Sequence, residues 1–220
     1  MNDAVSKTLE AWGLRLTGES LRKLELFTAA LEEKNAVQNL VSEKDMPQLW
    51  ERHILDSLAA AALLRRRLRP GALIADAGSG AAFPGLPLAA ALPEFNFQLL
   101  DSRARRCDFL GEAAAAMGAA NAAVFNRRVG EGGPGSGQRY AAVTERAMGQ
   151  LENILPQCLN ILSGGGFFLA WQSAAQLAQP RPAVEAALGK AGGELAETFP
   201  YRLPGETADR YILVFRKRGG

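Results

Sequence analysis

The sequence predicts an α/β fold: a parallel sheet with helices on both faces, preceded by a region that is helical throughout. Three observations carry this. Beyond residue 72, short apolar runs alternate with helical patterns, which is the signature of strand–helix–strand units. The run 73–75 closes on an acid, Asp76, and leads into a glycine turn, Gly78-Ser79-Gly80, with a helix start at Pro84. Before residue 72 the apolar residues fall at helical spacing, and no strand signal is present.

Residues 3–33 divide into two helices. Val5, Leu9 and Trp12 form one apolar stripe; Leu21, Leu24, Phe27 and Leu31 form another. Thr17-Gly18-Glu19 separates them, with Thr17 placed to cap the second. Residues 35–41 are polar and irregular and read as a loop. A further helix is expected from Asp45 through Leu64. Asp45 and Gln48 have capping-box spacing, Pro47 lies in the tolerated first turn, and Leu49, Trp50, His53, Ile54 and Leu58 share a face. Next come strand 73–75, helix 84–92 ended by Pro93, strand 97–100, helix 103–117 stopped by Gly118, and strand 122–125. Residues 130–137, with five glycines and a proline, read as a loop. Strand 140–144, helix 151–162, a turn at Ser163-Gly164-Gly165-Gly166 and strand 167–171 follow, then helix 183–190 and strands 195–199 and 211–215. The chain is thus read as a helical region, 1–70, and a ligand-binding domain, 71–220.

In an open parallel sheet, ligands bind beyond the carboxyl ends of the strands. Asp76, the glycine turn, Asp101 and Glu145-Arg146 all fall there. Glycine lets a ligand approach the backbone closely, and the helix start behind the turn offers free N–H groups. A dinucleotide fingerprint would need a third glycine where Phe83 stands, so a pyrophosphate loses its seat. No Gly-Lys-Ser or Gly-Lys-Thr follows the turn either. A nucleoside without phosphates remains, and S-adenosyl-L-methionine (AdoMet) fits that description. Asp101 closes the next strand about 20 residues on, where a carboxylate accepts ribose hydroxyls. The competing interpretation is a turn that only connects strand to helix.

At 220 residues the chain suits one α/β domain with a small extension. Its 48% hydrophobic and 22% charged content are ordinary for a globular protein. A formal charge of +2 excludes a basic balance across the whole domain. The arginines nevertheless cluster, as Arg65-Arg66-Arg67, Arg103 with Arg105-Arg106, Arg127-Arg128, and Arg216-Lys217-Arg218; such patches hold phosphates or are solvated helix ends. Cys107 and Cys158 make neither a disulfide framework nor a metal site and are expected as buried, reduced thiols. No metal site and no Ser-His-Asp set is visible. Residues 153–180 are uncharged but broken by Pro156 and the glycines, so no membrane span is expected. Without a visible secretory signal, a cytoplasmic location is expected.

Three segments together resemble the RsmG family, also called glucose-inhibited division protein B, of bacterial small-subunit ribosomal RNA methyltransferases. They are Asn39-Leu40 with Arg52-His53-Ile54-Leu55-Asp56-Ser57; Asp76-Ala77-Gly78-Ser79-Gly80 with Phe83-Pro84-Gly85-Leu86-Pro87; and Leu99-Leu100-Asp101-Ser102 with the basic helix behind it. The resemblance covers nearly the whole chain. It implies a class I, Rossmann-like, seven-stranded methyltransferase sheet with an N-terminal helical extension, and AdoMet-dependent N7-methylation of a guanine in 16S rRNA. Asp76, Gly78, Ser79, Gly80 and Phe83 would then belong to the AdoMet pocket, with Asp101 on the ribose, Val129 and Gly130 beside the adenine, and Arg146 closing it. Arg52, His53 and Arg146 would meet the RNA, whether 16S rRNA alone or the small subunit, and the protein would be a monomer. Other interpretations of single residues stay open: His53 as a structural histidine oriented by Asp56, Arg146 as an ion-pair partner of Glu145 or Glu152, Trp171 as packing or as a base-stacking face. The chain departs from the family at Ala82, where a glycine is usual, at Gly130 for an acid, Trp171 for a lysine, Lys34 for a tryptophan and Val41 for a threonine. The alternatives to an rRNA methyltransferase are a non-catalytic RNA- or ribosome-binding protein on the same fold, a nicotinamide-dependent dehydrogenase and a small-molecule methyltransferase.

Overall fold

The computed structural model describes residues 2–131, 137 and 139–219, so most of the loop expected at 130–137 lies outside the described residues. Seven strands make one sheet: β1 Leu73–Ala77, β2 Asn96–Asp101, β3 Ala122–Asn126, β4 Tyr140–Glu145, β5 Leu162–Ser173, β6 Gly193–Tyr201 and β7 Arg210–Lys217. Their order is β3-β2-β1-β4-β5-β7-β6. Strands β1 to β5 are parallel, whereas β7 runs antiparallel between β5 and β6, so the sheet is mixed and not parallel throughout. No crossover helix separates β6 from β7, and without one only an antiparallel return is available. The strand order reverses between β1 and β4, and that switch point is where a sheet of this kind opens a crevice.

The first two helices, α1 Asp3–Ala11 and α2 Gly18–Gln38, break where the sequence indicates, and Thr17 Oγ1 accepts the Ser20 N–H at 3.1 Å. Helix α2 continues through residues 35–38, which were expected to be loop. The Asn35 side chain is satisfied by both backbone groups of Val41, at 3.0 and 2.8 Å, and Asn39 closes the helix in the left-handed conformation. The single helix expected from Asp45 is instead a series: a 3₁₀ turn at Met46–Gln48, a π-helical turn at Trp50–Ile54, α3 Leu55–Leu58 and α4 Ala61–Arg67. Asp45 makes no helix cap; its carboxylate accepts from Ser42 Oγ at 2.8 Å. Helices α5 Gly85–Ala91, α6 Ala104–Ala116, α7 Leu151–Ile161 and α9 Pro182–Lys190 follow as expected, with an additional short α8, Ala174–Leu177, capped by Ser173. The triple glycine is not a turn but the start of β5. A Cβ on Gly166 would stand 3.0 Å from the carbonyl oxygens of Ala141 and Ser163, and the register with β4 shifts there.

One apolar core joins α1, α2, α3 and α4 to α5, α6 and one sheet face, through Leu24, Phe27, Leu31, Ile54, Leu58, Phe109, Leu99 and Val214. The other face is covered by α7 and α9, around Leu155, Leu159, Phe168 and Phe215. The N-terminal helices are therefore part of the same hydrophobic body as the sheet. At the crevice, α5 presses onto β1 and β2 through Gly85. A Cβ there would collide with Leu99 and lie 2.6 Å from Asp76 Oδ2. Gly85→Ala should lower the free energy of unfolding by about 3 kcal/mol, as overpacking does in a filled core. Urea denaturation followed by circular dichroism measures this, and a native midpoint would mean that α5 can retreat.

Candidate active site

Two clefts open at the switch point. The first is built on the glycine turn. Gly78 and Gly80 take positive φ, +66° and +54°, and Ser79 locks the bend by donating its N–H to Leu100 O at 3.1 Å and its hydroxyl to Asp76 O at 3.0 Å. The Gly80 N–H donates to Asp101 Oδ2 and the Arg103 N–H to Asp101 Oδ1, both at 2.9 Å. The Asp101 carboxylate is thus held between the turn and the start of α6, only 4% exposed but facing a cleft of about 430 Å³. Gly78, Val129, Met148 and Ile154 line the same cleft, with Arg103, Arg106 and Arg128 on its rim. A Cβ at Gly78 would come within 2.7 Å of Met148 Cγ, so the turn requires glycine there for space as well as conformation.

The second cleft, about 300 Å³, is lined by Asp45, Arg52, His53, Asp56, Arg146, Trp171, Tyr201 and Arg210. Ala147, in the left-handed conformation at φ +61°, lines both clefts. The hub is the Asp56 carboxylate, 1% exposed. It accepts from Tyr201 Oη at 2.6 Å, Arg146 Nη1 at 2.8 Å and Arg210 Nη1 at 3.2 Å, while its backbone carbonyl accepts from Trp171 Nε1 at 3.0 Å. Arg146 also places Nη2 2.9 Å from His53 Nδ1 and lies over the Phe83 ring, 4.9 Å from its centroid. Burial, and after it the Arg146 charge, push the His53 imidazole down to about 4, so the ring is neutral at pH 7.

The family model for GidB, rRNA small subunit methyltransferase G, matches residues 20–190. The chain belongs to this family. It is 29% identical over 220 residues to the ribosomal RNA small subunit methyltransferase G of Coxiella burnetii (strain RSA 493 / Nine Mile phase I), covering 100% of both chains. It is 35% identical over 168 residues to that of Sorangium cellulosum (strain So ce56), covering 76% of this chain and 70% of the relative. Among solved structures it is similar to magnesium protoporphyrin IX methyltransferase from Synechocystis PCC 6803 with bound SAH, at a TM-score of 0.58 and 14% identity over 74% of this chain and 83% of that one. A SAM-dependent O-methyltransferase from Thermotoga maritima gives a TM-score of 0.54 and 20% identity over 75% and 65% of the two chains. These likenesses show the fold, a Rossmann-like, seven-stranded methyltransferase sheet.

In this member of the family, the expected site residues divide between the clefts. Gly78, Asp101 and Val129 share the first, and Gly130 lines an adjoining hollow with Val129. Ser79 and Gly80 shape the turn. Asp76 lies beneath it, fully buried, accepting from Thr144 Oγ1 at 2.8 Å and the Gly85 N–H at 3.2 Å. Phe83 and Arg146 are not in the first cleft; they stack on each other beside His53. Arg146 pairs with Asp56, not with Glu145 or Glu152. Asp56 reaches His53 only through Arg146, and Trp171 is packed, 6% exposed. Arg65, Arg66 and Arg67 are met within the fold by Glu94 and Glu197, so that cluster is no open phosphate site. Cys158 is buried as expected, but Cys107 is half-exposed. Tyr201, Arg210 and Asp45 went unforeseen. The first two come from the terminal hairpin, whose position beside β5 no local pattern announces, and Asp45 carried a helix-cap signature that masked it.

Glu145, 1% exposed, accepts from the Met148 N–H and so holds Met148 against Gly78. Burial, reinforced by the neighbouring Asp76 charge, pushes its carboxyl up from 4.5 to about 7. Burial likewise pushes Asp76 up to about 6. A carboxyl raised by folding binds its proton more tightly in the folded state, so its stabilising contribution is complete below about 4.5 and lost as pH rises through 7. Glu145→Gln, which keeps an acceptor for Met148, should be more stable than the native chain at pH 8, by about 3 kcal/mol at most. The difference should vanish at pH 4, and thermal melts at the two values decide the matter.

Proposed function

We propose that this chain transfers the methyl group of AdoMet to N7 of a guanine in small-subunit (16S) rRNA. Two observations support the reading. The chain belongs to the rRNA small subunit methyltransferase G family. In addition, a nucleoside-sized cleft and a polar cleft meet at Ala147, at the carboxyl ends of β1, β2 and β4, and that junction is the observation that carries it.

The first cleft fits AdoMet. Each Asp101 oxygen receives one backbone N–H and keeps a lone pair for a ribose hydroxyl. Val129 and Ile154 offer apolar walls for a purine, Gly78 admits close backbone approach, and about 430 Å³ is an ordinary volume for a small-molecule site. Bound there, AdoMet supplies a methyl group already activated by its sulfonium. Guanine N7 has a free lone pair at neutral pH, so no side chain has to remove a proton. The residues of the second cleft, Arg52, His53 and Arg146, orient the base, and orientation is the protein's main contribution to rate. Arg103 on the rim meets RNA phosphates, while Arg106 and Arg128 are engaged by Asp101 and Glu131. Residues 1–70 contribute Asp45, Arg52, His53 and Asp56 to the second cleft, residues 71–220 complete it and hold the cofactor, and the two regions share one folded body. Among the described residues no helix is long and apolar enough to cross a membrane. The substrate is rRNA, alone or within the small subunit, and the protein acts as a cytoplasmic monomer.

Asp101→Asn should weaken AdoMet binding at least tenfold in titration calorimetry while the chain stays folded. Unchanged affinity would remove Asp101 from the ribose. Mass mapping of methylguanosine in 16S rRNA, with and without the chain, tests the reaction itself.

A further inference from the structure

Among the described residues, one buried side-chain nitrogen or oxygen lacks a hydrogen-bond partner: His53 Nε2. Its protonation follows from its neighbour. A guanidinium has donors and no acceptor, so the Arg146 Nη2 contact at 2.9 Å makes His53 Nδ1 the acceptor and leaves the ring proton on Nε2. Arg146 is itself fixed by Asp56 and by the Phe83 ring, which locks this tautomer. His53 Nε2–H is therefore a donor in want of an acceptor, and a buried donor left unpaired is destabilising. The nearest acid, Asp45 Oδ2, is 3.7 Å away, beyond hydrogen-bond distance. Asp45 is held in place by Ser42 Oγ at 2.8 Å and by Arg52 Nη1 at 3.4 Å, and it lines the same cleft.

A neutral donor and a carboxylate side by side form a pattern that distinguishes the bases. Guanine presents a carbonyl at C6 beside an N1–H and a 2-amino group. Adenine and cytosine present an amino group beside a bare ring nitrogen, which would set donor against donor and lone pair against carboxylate. Uracil shares part of guanine's pattern but has neither a 2-amino group nor a nitrogen equivalent to N7. We propose that Asp45 and His53 read the Watson–Crick edge of the target guanine: His53 Nε2–H donates to O6, and the Asp45 carboxylate accepts from N1–H and the 2-amino group. The adjoining Hoogsteen edge, which carries N7, is then left for the methyl donor across Ala147. Such edge reading requires an unpaired, exposed base. The inference rests on the reading of the chain as a guanine-N7 methyltransferase.

The test is methyl incorporation into unmodified 16S rRNA transcripts and small subunits, with kcat and KM measured separately and AdoMet affinity followed by calorimetry. Asp45→Ala, at a side chain about one quarter exposed, should lower kcat/KM ten- to a hundredfold, in line with one lost base contact, and leave AdoMet affinity unchanged. His53→Gln keeps an N–H donor and should retain most activity, whereas His53→Leu should lose it; a packing role would give the reverse order. Inosine at the modified position, which lacks only the 2-amino group, should cost the native chain several-fold and cost Asp45→Ala nothing further. Native-like kcat/KM in Asp45→Ala, or equal inosine penalties in both chains, would overturn the reader while leaving the methyltransferase reading intact. A native chain that binds AdoMet but methylates no guanine in either substrate would overturn both.

Discussion

The geometry of the site depends on one buried charge, the carboxylate of Asp56. Stripping water from a carboxylate costs several kcal/mol, and only well-placed donors offset that cost. Here the donors are Arg146 from the end of β4, Tyr201 from the end of β6 and Arg210 from the start of β7, while Trp171 of β5 bonds the carbonyl of the same residue. Asp56 therefore pins α3 to four strands at once. Burial and the Asp56 charge hold the Tyr201 hydroxyl far above the usual tyrosine range, so it stays a donor at any physiological pH. A buried ion pair of this kind adds little net stability over an apolar substitute, but removing either partner leaves a stranded charge. What it secures is position: it aims Arg146, and Arg146 in turn decides which nitrogen of His53 carries the proton.

Four acids near the strand ends show how surroundings assign roles to one functional group. Asp56 is enclosed by cations and a phenol. Asp101 is held by two backbone N–H groups, has Arg106 Nη1 3.6 Å from Oδ2, and faces the first cleft on its open side. Asp76 and Glu145 are buried with hydrogen bonds but no ion pair of their own, and both are pushed upward. They serve the backbone around the first cleft: Asp76 ties β1 to β4 and to the start of α5, and Glu145 ties down Met148. A strand that ends in an acid is thus an ambiguous sign until its neighbours are known.

That ambiguity marks where the sequence stops being legible. The alternation of strands and helices beyond residue 72, the glycine turn and the Asp101 spacing are local patterns, and each appears in the fold at its expected place. What failed depended on partners distant along the chain. The direction of β7 is set by its pairing with β5 and β6, and no local property of Tyr211–Phe215 distinguishes parallel from antiparallel. Residues 35–38 looked too polar for a helix because the clamp between Asn35 and Val41 is a tertiary device. The break of the expected helix 45–64 into 3₁₀, π and α segments likewise has no periodic signature, yet the π turn is what carries Arg52 and His53, in keeping with the frequency of such turns at functional sites. Phe83 and Arg146 were placed at the cofactor by the family resemblance; in space they stack on each other beside His53, and Arg146 lines the neighbouring cleft.

The boundary between the clefts explains a backbone feature that would otherwise look like a defect. Alanine in the left-handed region costs about 1–2 kcal/mol, and such residues persist only where their surroundings over-determine them. Ala147 is constrained from both sides. The Arg146 side chain is drawn into the second cleft by Asp56, and the Met148 N–H is drawn back to Glu145, which sets its side chain against Gly78 in the first. Flanking residues that serve opposite clefts, Arg146 and Met148, leave Ala147 between them a sharp reversal, and φ +61° supplies it. The strain at Ala147 is the local cost of bringing the two clefts within one residue of each other, and closeness of that kind is what direct transfer between two bound reactants requires.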